Sequence, residues 1–488
     1  MFDLFKLHDP EEDKSSKSWI RLGGDKLTDE LRKILLEILS EGYSLNSLSK
    51  QIAKTLNVNW TAIKQQLEKV KNNSWKYRVC VPIPVIESLL RLWNNKKMGK
   101  EKWKLIELTD WIVSGASKSK PTKSMKVLNK ELSAITGAHA ADGCLVKPRI
   151  KTSRYQWRIT DQYESSLSCL QQWIKKVFGI QSKINRRGTY FYINIKNKAI
   201  YRILNKFFGF KLGKKASIVS MPKMIKNSTE ELQRYFAMGV LTFDGCVDLS
   251  GYIELNVTSK QLRNDVANIM RKDGIKVKIS KEKDKLGRWT LATPIIKNDV
   301  KFLKYFANDT IHWKKANGFI KGFDEEDVID LFKGTSTNKI KLREVLSCTK
   351  KLKIFDLESL RKTLKVNKRT VRSYIRILEK AKIIKTIRFG MKVTSYVNLN
   401  NLDDTTTLTL SKKYRERLFD LAITKCGLQI KLADLLNVNF RRVSAWRIGT
   451  TGLSMKHLRR LLKICNLDSW KISDGIEKFG ENIYIFKG

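Results

Sequence analysis

The sequence predicts an α+β protein: two pseudo-symmetric αββαββα repeats that form a concave β-saddle, flanked by all-α helix-turn-helix and winged-helix domains. Two successive alternations of helix and strand across residues 129–322 predict the paired repeats. A recurring tetrad outside this block predicts the flanking helical domains. The length of 488 residues fits several domains, at roughly 100–200 residues each.

The charge balance indicates a polyanionic partner. The chain has 96 Lys and Arg residues against 48 Asp and Glu residues, a formal net charge of +48. Solubility alone does not require such an excess, and nucleic acid is the simplest partner that matches it. Double-stranded DNA is therefore the expected partner.

Cysteine usage and hydropathy indicate the compartment. The seven cysteines form no CxxC pair, which argues against a zinc site or a disulfide framework and fits a reducing interior. No stretch approaches ~18 uninterrupted apolar residues, and the N-terminus lacks an apolar signal core. We expect a cytoplasmic protein, associated with the nucleoid when bound to DNA, without a membrane partner.

Composition shifts and small polar stretches predict the domain boundaries. The expected segments are an N-terminal tail (1–26), a helix-turn-helix domain (27–113), a linker (114–128), repeat 1 (129–212), an inter-repeat linker (213–228), repeat 2 (229–322), a linker (323–340), a winged helix-turn-helix (341–400), a linker (401–411), a repressor-like helix-turn-helix (412–475) and a C-terminal tail (476–488).

The flanking domains are predicted from the tetrad. Leu-Asn-Val-Asn at 56–59 recurs at 436–439, and Leu-Lys-Val-Asn stands at 364–367. Each tetrad follows a short amphipathic helix and precedes a polar, basic one, which is the pattern of a helix-turn-helix. Asn57 and Asn437 are expected in the left-handed conformation that the turn requires.

Basic residues that open the second helices are the expected DNA contacts of these domains. Two alternating strands at 382–399 follow the middle pair and predict a wing, while the last pair resembles the repressor-type helical domain of phages. The candidate contacts here are Lys368, Arg369, Arg372, Arg441 and Arg442.

Polar residues at two-residue spacing on the repeat strands predict a second DNA-contacting surface. Alternation places Lys, Arg, Gln, Asn and Tyr on one sheet face, where they match the base edges of a major groove. The candidate contacts are Lys147, Arg149, Lys151, Gln156, Arg158, Arg186, Tyr190, Tyr192, Asn194 and Lys196 in repeat 1, and Tyr252, Glu254, Asn256, Lys276 and Lys278 in repeat 2.

One acidic residue occupies the same place in each repeat. Asp142 and Asp244 both end a predicted helix, and each is followed by Gly and Cys. Gly137 and Gly239, five residues earlier, would let the two helices approach closely. Two carboxylates brought together at a pseudo-twofold axis would form a hard-oxygen site for Mg²⁺ or Mn²⁺, placed to act on phosphodiesters.

The segments 135–143 (ITGAHAADG) and 237–245 (AMGVLTFDG) resemble the paired motifs of single-chain LAGLIDADG homing endonucleases. The resemblance implies that Asp142 and Asp244 hold the metal. It also implies a basic residue near each active centre, for which the candidates are Lys214, Lys215, Lys314 and Lys315. His139, within the first motif, is expected to pack at the helix interface.

The resemblance implies a monomeric, site-specific DNA endonuclease that makes a staggered, Mg²⁺-dependent double-strand break in a long asymmetric target. Two alternatives use the same fold: a catalytically silent DNA-binding transcription regulator, and an intron maturase that binds its own intron RNA. A small-molecule enzyme is disfavoured, because the sequence shows no Gly-rich phosphate loop and no nucleophile elbow. Retention of both acids favours the endonuclease.

Overall fold

The computed structural model divides the chain into two compact units. The first comprises 1–247, 253–295 and 299–316, and the second comprises 248–252, 296–298 and 317–488. The structure describes residues 1–15, 18–72, 80–93, 98–114, 121–146, 155–213, 215–248, 251–323, 331, 342–381, 383–387, 402–467, 476–479 and 483–486.

The first unit begins with a helical region built on a small sheet. Its helices are α1 (Asp25–Ser40), α2 (Leu45–Leu56), α3 (Trp60–Asn72), α4 (Ile83–Trp93) and α5 (Met98–Leu108). Its strands are β1 (Ile20–Gly23), β2 (Cys80–Pro82), β3 (Trp111–Ser114) and β4 (Thr122–Lys123), in the order β2-β1-β3-β4. Leucines and isoleucines at helical spacing, such as Leu27, Leu31 and Ile34, form its core.

Repeat 1 has the predicted succession of elements. They are α6 (Lys130–Asp142), β5 (Gly143–Val146), β6 (Gln156–Asp161), α7 (Glu164–Phe178), β7 (Ile184–Arg187), β8 (Tyr190–Ile195), α8 (Lys198–Arg202) and a π-helical turn Ile203–Phe207. The strands form one antiparallel sheet in the order β5-β6-β8-β7. Apolar residues at every second position, such as Trp157 and Ile159, face the helices.

Repeat 2 follows a short helix, α9 (Lys223–Lys226), and has the same topology. Its elements are α10 (Glu230–Phe243), β9 (Gly245–Val247), β10 (Tyr252–Val257), α11 (Lys260–Lys272), β11 (Lys278–Ile279), β12 (Trp289–Pro294), a 3₁₀ helix Val300–Tyr305 and α12 (Ile311–Lys321). The sheet order β9-β10-β12-β11 matches that of repeat 1. The predicted α+β class and the duplication are confirmed.

The second unit is a set of helix pairs joined by two three-stranded sheets. Its elements are α13 (Leu342–Leu352), β13 (Ile354–Asp356), α14 (Leu357–Leu364), α15 (Lys368–Lys380), β14 (Ile384–Ile387), β15 (Thr407–Leu410), α16 (Lys412–Cys426), α17 (Gln429–Leu436), α18 (Phe440–Ile448), β16 (Leu453–Ser454), α19 (Met455–Ile464), β17 (Ile476–Phe479) and β18 (Ile483–Phe486). The sheet orders are β13-β18-β14 and β16-β15-β17.

The three tetrads form the expected turns between helices. Asn57 and Asn437 adopt φ of 53° and 55°, as predicted, and Lys365 adopts φ of 53°. In the first and last pairs, the amide of the following valine donates to a carbonyl one turn back, at 3.0 Å from Val58 to Ala53. Asparagine favours this backbone region, and a lysine there is less usual.

The prediction of terminal tails at 1–26 and 476–488 is wrong. Within 1–26, the turn Leu4–Leu7 and β1 are ordered structure, and Asp13 is fully enclosed in an ion-pair cluster with repeat 1. Within 476–488, β18 is the central strand of one sheet and β17 is an edge strand of the other. The apolar run Ile-Tyr-Ile-Phe at 483–486 explains this pairing, because Ile483 and Tyr484, on opposite faces of the strand, are both buried.

Three expected linkers also contain structure. Segment 114–128 contains β4 and the buried Met125, 213–228 contains α9 and the buried Lys215, and 401–411 contains β15. Polar composition concealed these elements because each is short and buries only one or two side chains. The linker 323–340 and the second strand of the expected wing fall largely outside the described residues.

Among the described helices, none combines the length and the apolar composition needed to cross a bilayer.

Candidate metal centre and nucleic-acid interface

Helices α6 and α10 cross in direct backbone contact. A Cβ atom at Gly137 would clash with the carbonyl oxygen of Phe236, and one at Gly239 would clash with that of Ala134. The Cα of Gly239 lies only 3.0 Å from the ideal Cβ position at Gly137. The prediction that the paired glycines permit close approach is confirmed.

Both motif aspartates lie at the ends of these helices. Asp142 is the last residue of α6, and Asp244 caps α10. The C-terminus of a helix carries partial negative charge, so it disfavours an ionised carboxylate. Each helix begins at an asparagine or threonine N-cap, Asn129 or Thr229, whose side chain accepts a hydrogen bond from an amide of the first turn.

Burial raises the pKa of each aspartate, and the charge of Asp142 raises the pKa of Asp244 further. Burial raises the pKa of Asp142 to about 6, against the opposing effect of the Lys215 ammonium. Burial, followed by the charge of Asp142, raises the pKa of Asp244 to about 8. Because the charge of Asp142 raises the pKa of Asp244, the two carboxyls form one electrostatic centre that disfavours double ionisation.

Lys215 is the basic residue that the fold brings to this centre. It is 8% exposed, and its Nζ donates to the carbonyl oxygens of Ala140 (2.7 Å) and Ala141 (3.1 Å), at the end of α6. Burial lowers its pKa to about 8, opposed by Asp244 and then Asp142. Lys215 therefore places one positive charge beside both acids.

The other three candidate lysines differ in position. Lys314 and Lys315 lie on α12, where Lys314 is exposed and Lys315 is buried. The charge of Lys315 acts on His312, whose pKa falls to about 3 mainly because the ring is buried. Lys214 lies outside the described residues. Lys215 lowers the pKa of both motif aspartates and is thereby joined to the carboxyl pair.

Asp161 is a further buried acid whose charge acts on the carboxyl pair, and it was not among the residues predicted from the sequence. It ends β6, is 8% exposed, and its Oδ1 accepts from the amide of Tyr163 at 2.7 Å. Burial raises its pKa to about 7, with a contribution from Asp142, and its charge in turn acts on Asp244. The available signal in the sequence was an acid at the end of β6, on the strand face whose other residues, Trp157 and Ile159, are apolar.

His139 packs in the core, as predicted. It is fully buried, with its ring 4.3 Å from that of Phe210 and 6.3 Å from that of Trp157. Burial and the Lys215 charge hold its pKa well below the usual value. Its two ring nitrogens have no hydrogen-bond partner among the described residues. It is a neutral packing residue rather than a ligand.

The carboxyl pair fits a divalent cation. Asp142 and Asp244 supply hard oxygen donors whose ionised forms are costly until a positive charge neutralises them. Within the described part of the chain, no cluster of three or more His, Cys, Asp or Glu side chains could hold a metal. A cation here would need backbone, water or phosphate oxygens to complete its coordination.

In the sheet of repeat 1, several predicted DNA contacts lie on one face. Arg158 pairs with Asn194 in register, and its guanidinium lies 5.7 Å from the ring centroid of Tyr192. Of the predicted contacts that the structure describes on this face, Arg158, Tyr190 and Lys196 are exposed, and Gln156, Tyr192 and Asn194 are half-buried. The placement of Arg186 on this face is wrong, because Arg186 pairs in register with Phe191 and therefore lies, exposed, on the opposite face of the sheet. Lys147, Arg149 and Lys151 lie outside the described residues.

In repeat 2, the corresponding face is less basic. Tyr252, Glu254 and Asn256 are half-buried on β10, and Asn256 accepts from the Thr290 hydroxyl at 2.8 Å. Lys278 on β11 is exposed, and so is Lys276 just before it. The predicted contacts of repeat 2 thus include one acid and only two lysines.

In the second unit, the basic candidates lie at the starts of two helices. Lys368 and Arg372 are exposed on α15, and Arg441 and Arg442 are exposed on α18. The side chain of Arg369 lies outside the described residues. Each helix has an asparagine N-cap, Asn367 or Asn439, that accepts from its first turn. The helices therefore present positive charge at their N-terminal ends.

Comparison with known families supports the resemblance for part of the chain. Residues 132–208 match the family model described as the WhiA LAGLIDADG-like domain. This range covers repeat 1 with Asp142, and it ends before the second motif. No curated protein matches the chain. The resemblance to LAGLIDADG proteins is therefore confirmed over the first repeat.

Solved structures that resemble the chain do so weakly. I-DmoI in complex with DNA and Mn has 17% identity and a TM-score of 0.29, covering 37% of this chain and 98% of that one. The homing endonuclease I-WcaI bound to its DNA recognition sequence has 12% identity and a TM-score of 0.28, covering 46% and 95%. Full-length DUF199/WhiA from Thermatoga maritima has 14% identity and a TM-score of 0.26, covering 53% and 94%.

Proposed function

We propose that the protein is a site-specific homing DNA endonuclease that makes a staggered, Mg²⁺-dependent double-strand break in a long asymmetric target. The observation that carries this proposal is the pairing of Asp142 with Asp244 at the crossing of α6 and α10. Two carboxyls with pKa values raised to about 6 and 8 are costly in a purely structural role. They are well suited to a cation that acts on phosphodiesters.

Each described residue of the centre has a distinct task in this proposal. Asp142 and Asp244 hold the Mg²⁺ or Mn²⁺, which when bound supplies charge stabilisation to a phosphodiester and activates water. The Lys215 ammonium donates to two carbonyl oxygens at the end of α6 and offsets the negative charge of the two carboxylates. In this role it reduces the electrostatic repulsion between the two helix ends. The same ammonium favours a phosphate next to the acids.

The sheet faces and the helix pairs supply target binding. Strand residues such as Arg158 and Asn194 would contact base edges, and a net charge of +48 favours contacts along the phosphate backbone. The helices that follow the three left-handed turns, α3, α15 and α18, would lengthen the bound site. A monomer suffices, because both repeats belong to one chain.

A DNA-binding transcription regulator without cleavage activity is the second candidate. The observation that favours it is the family match at 132–208, which is to a WhiA LAGLIDADG-like domain. The observation that favours the endonuclease over this candidate is the retention of both acids together with Lys215. An intron maturase that binds its own RNA would use the same basic surfaces.

The test is cleavage of a complex DNA pool with Mg²⁺, followed by sequencing of the new ends. The intact protein and the exposed-site control Asp434→Asn should produce recurrent staggered ends. The double variant Asp142→Asn/Asp244→Asn should bind the same DNA and leave it uncut, because the amides keep the shape and lose the charge. Retention of specific DNA without new ends in every sample would support the regulator or the maturase.

A further inference from the structure

A cavity of about 420 Å³ lies between the end of repeat 1 and the segment that leads to repeat 2. The π-helical turn Ile203–Phe207 and the residues after it form one wall, and the segment 215–223 forms the other. The volume falls within the roughly 300–1,000 Å³ typical of small-molecule sites, and short π-helical turns are frequent at functional sites. Of the described residues that line the cavity, Lys215 alone has a task in the proposed function.

Both walls of the cavity are held in place by hydrogen bonds. The amide of Met221 donates to the Asp265 carboxylate at 2.8 Å, and the hydroxyl of Ser259 donates to a backbone carbonyl two residues before Met221. On the opposite wall, the Asn205 side chain donates to the carbonyl of Phe210 at 2.8 Å. Ser259 and Asp265 are both buried. The cavity is therefore preformed, which lowers the entropic cost of binding a ligand.

Lysines give the cavity a positive rim. Lys206, Lys211 and Lys223 line it and are exposed, and they are called the lysine rim below. Lys206 forms an ion pair with Asp9 at 2.6 Å, whereas Lys211 and Lys223 form none within the described part of the chain. The described residues that line the cavity include no acid. Three ammonium groups with one neutralising carboxylate favour an anionic ligand.

The rest of the lining is mostly apolar. Phe207, Phe208 and Phe210 lie on one side and are called the phenylalanine wall below, and Ile218 lies on the other side and is 53% exposed. Phe207 is half-buried and stacks on Phe2, with 5.1 Å between ring centroids. A flat ring placed in the cavity would cover these apolar groups and remove them from water.

A nucleotide combines the two properties that this lining favours. Its base is a flat ring that stacks on aromatic side chains, and its phosphate accepts hydrogen bonds from ammonium groups. We propose that the cavity binds one nucleotide, with the base against the phenylalanine wall and the phosphate at the lysine rim. An inorganic anion would leave the apolar wall in water, and an uncharged ring would leave the rim without its anion.

Lys215 connects the cavity with the candidate metal centre. It lines the cavity, and its ammonium donates to the carbonyl oxygens of Ala140 and Ala141, just before Asp142. An unpaired nucleotide of DNA bound at the centre is therefore one source of the ligand. A free mononucleotide has the same base and phosphate and is the other source. Only the first source rests on the proposed function, because it requires DNA at the centre.

Direct binding to the full-length protein tests the site. The probe is dAMP, measured by isothermal titration calorimetry without divalent metal and compared with deoxyadenosine and with inorganic phosphate. We expect one saturable dAMP site, and binding of either fragment at least about tenfold weaker, because each fragment lacks part of the contacts. Inorganic phosphate bound as tightly as dAMP would contradict a site for the base, and deoxyadenosine bound as tightly would contradict a site for the phosphate.

Exposed substitutions locate the binding in the cavity. Lys211→Ala/Lys223→Ala should weaken dAMP binding at least about tenfold, because charge-assisted hydrogen bonds to the phosphate are lost. Ile218→Glu places a negative charge opposite the phenylalanine wall and should weaken binding by a similar factor. The matched control Lys281→Ala/Lys283→Ala, at exposed positions in repeat 2, removes the same charge and should leave dAMP binding unchanged. Equal losses in the rim and control pairs, or no loss in the rim pair, would overturn the cavity as the site.

Two further measurements identify the source of the nucleotide. The duplex target recovered from the pool experiment is added to the dAMP complex, and the same target is prepared with 2-aminopurine beside the cut, whose fluorescence reports loss of base stacking. Displacement of dAMP, with a fluorescence change that Lys211→Ala/Lys223→Ala lacks, identifies an unpaired nucleotide of the DNA. dAMP that stays bound beside the duplex identifies a free mononucleotide.

The outcomes for this site and for the proposed function are distinguishable. Saturable dAMP binding by a protein that cuts no DNA would support the site and contradict the endonuclease. Cleavage by a protein that binds no dAMP would overturn this inference and leave the endonuclease intact. Thermal unfolding of each variant establishes that a loss of binding is not a loss of folding.

Discussion

Repeat 1 and repeat 2 share one helix crossing, yet they are stabilised in different ways around it. Repeat 2 contains its own polar network, in which Arg234 donates to Asp273 at 2.6 Å and the Tyr305 hydroxyl donates to Asp273 at 2.7 Å. Repeat 1 depends on the N-terminal segment, whose buried Asp13 forms ion pairs with Lys198 and Arg202.

The two repeats therefore have some features in common and others that only one of them has. Each repeat contributes one glycine to the helix crossing and one aspartate at the end of its crossing helix. The two acidic side chains therefore lie at the same end of the crossing. The N-terminal segment packs against repeat 1, and Asp161 corresponds in register to Val257 of repeat 2. The shared features create the centre, and the unshared ones give its two halves different chemistry.

The largest expected effect comes from breaking the shared crossing. Gly137→Val should destabilise the first unit by more than about 4 kcal/mol or prevent its folding, because a side chain there clashes with the Phe236 backbone, which cannot move aside. Gly99→Ala is the matched control, since Gly99 lies on α5 with open space around it. Thermal unfolding measures both, and the control should be neutral or slightly stabilised.

A folded and equally stable Gly137→Val protein would contradict the direct backbone contact between α6 and α10.

The next effect sharpens the contrast between the repeats. Asp13→Asn should cost about 3–5 kcal/mol, because it leaves two buried cations, Lys198 and Arg202, without their carboxylate. Asp273→Asn in repeat 2 should cost about 1–2 kcal/mol, because its network is partly exposed and the amide keeps some hydrogen bonds. Chemical denaturation of each variant measures the difference.

Equal losses from the two substitutions would show that the N-terminal segment is no more essential to repeat 1 than the internal network is to repeat 2.

A smaller effect concerns the charge shared by the two halves. The pKa of Asp244 rises from 3.8 to about 8 on folding, so the protonated side chain contributes stability that is lost as pH rises through about 8. In the absence of metal, the free energy of unfolding of Asp244→Asn should therefore rise relative to that of the intact protein as pH increases from about 4 to 8, by on the order of 1–3 kcal/mol. Melting curves in a chelator measure this gain.

The control for this series is Asp434→Asn, which makes the same substitution at an exposed aspartate on α17. A gain for Asp244→Asn that is independent of pH would contradict the raised pKa.

The smallest expected effect concerns DNA binding by the second unit. Arg441→Ala/Arg442→Ala should lower affinity and reduce the slope of log affinity against log salt by about 1–2, since up to two phosphate contacts are lost. Lys412→Ala/Lys413→Ala removes the same charge from the start of α16 and should change the slope less. Equal changes in the two pairs would indicate non-specific attraction rather than contacts from α18.

The sequence was sufficient to predict the duplicated elements, because each depends on local patterns that the chain displays twice. Alternation on β6 and β8, the glycines of the crossing and the left-handed turns at Asn57 and Asn437 all follow from short-range rules. The two acids at helix ends followed from the same repetition.

The features that were missed depend on contacts distant in sequence. Asp13 is an ordinary acid in a polar segment until Lys198 and Arg202 enclose it. Asp161 raises the pKa of Asp244 only because folding buries the two acids within reach of each other's charge. β18 occupies the middle of a sheet whose other strands, β13 (Ile354–Asp356) and β14 (Ile384–Ile387), lie far earlier in the chain, and no local pattern predicts that pairing.

The most direct test of the central claim is a Mn²⁺ titration of the full-length protein, read by electron paramagnetic resonance at pH values below 6 and above 8. A cation held by Asp142 and Asp244 must displace their protons, so Mn²⁺ should bind more tightly at the higher pH. The double variant Asp142→Asn/Asp244→Asn should lose this binding. Mn²⁺ binding that is independent of pH, or unchanged in the double variant, would contradict a metal centre at the helix crossing.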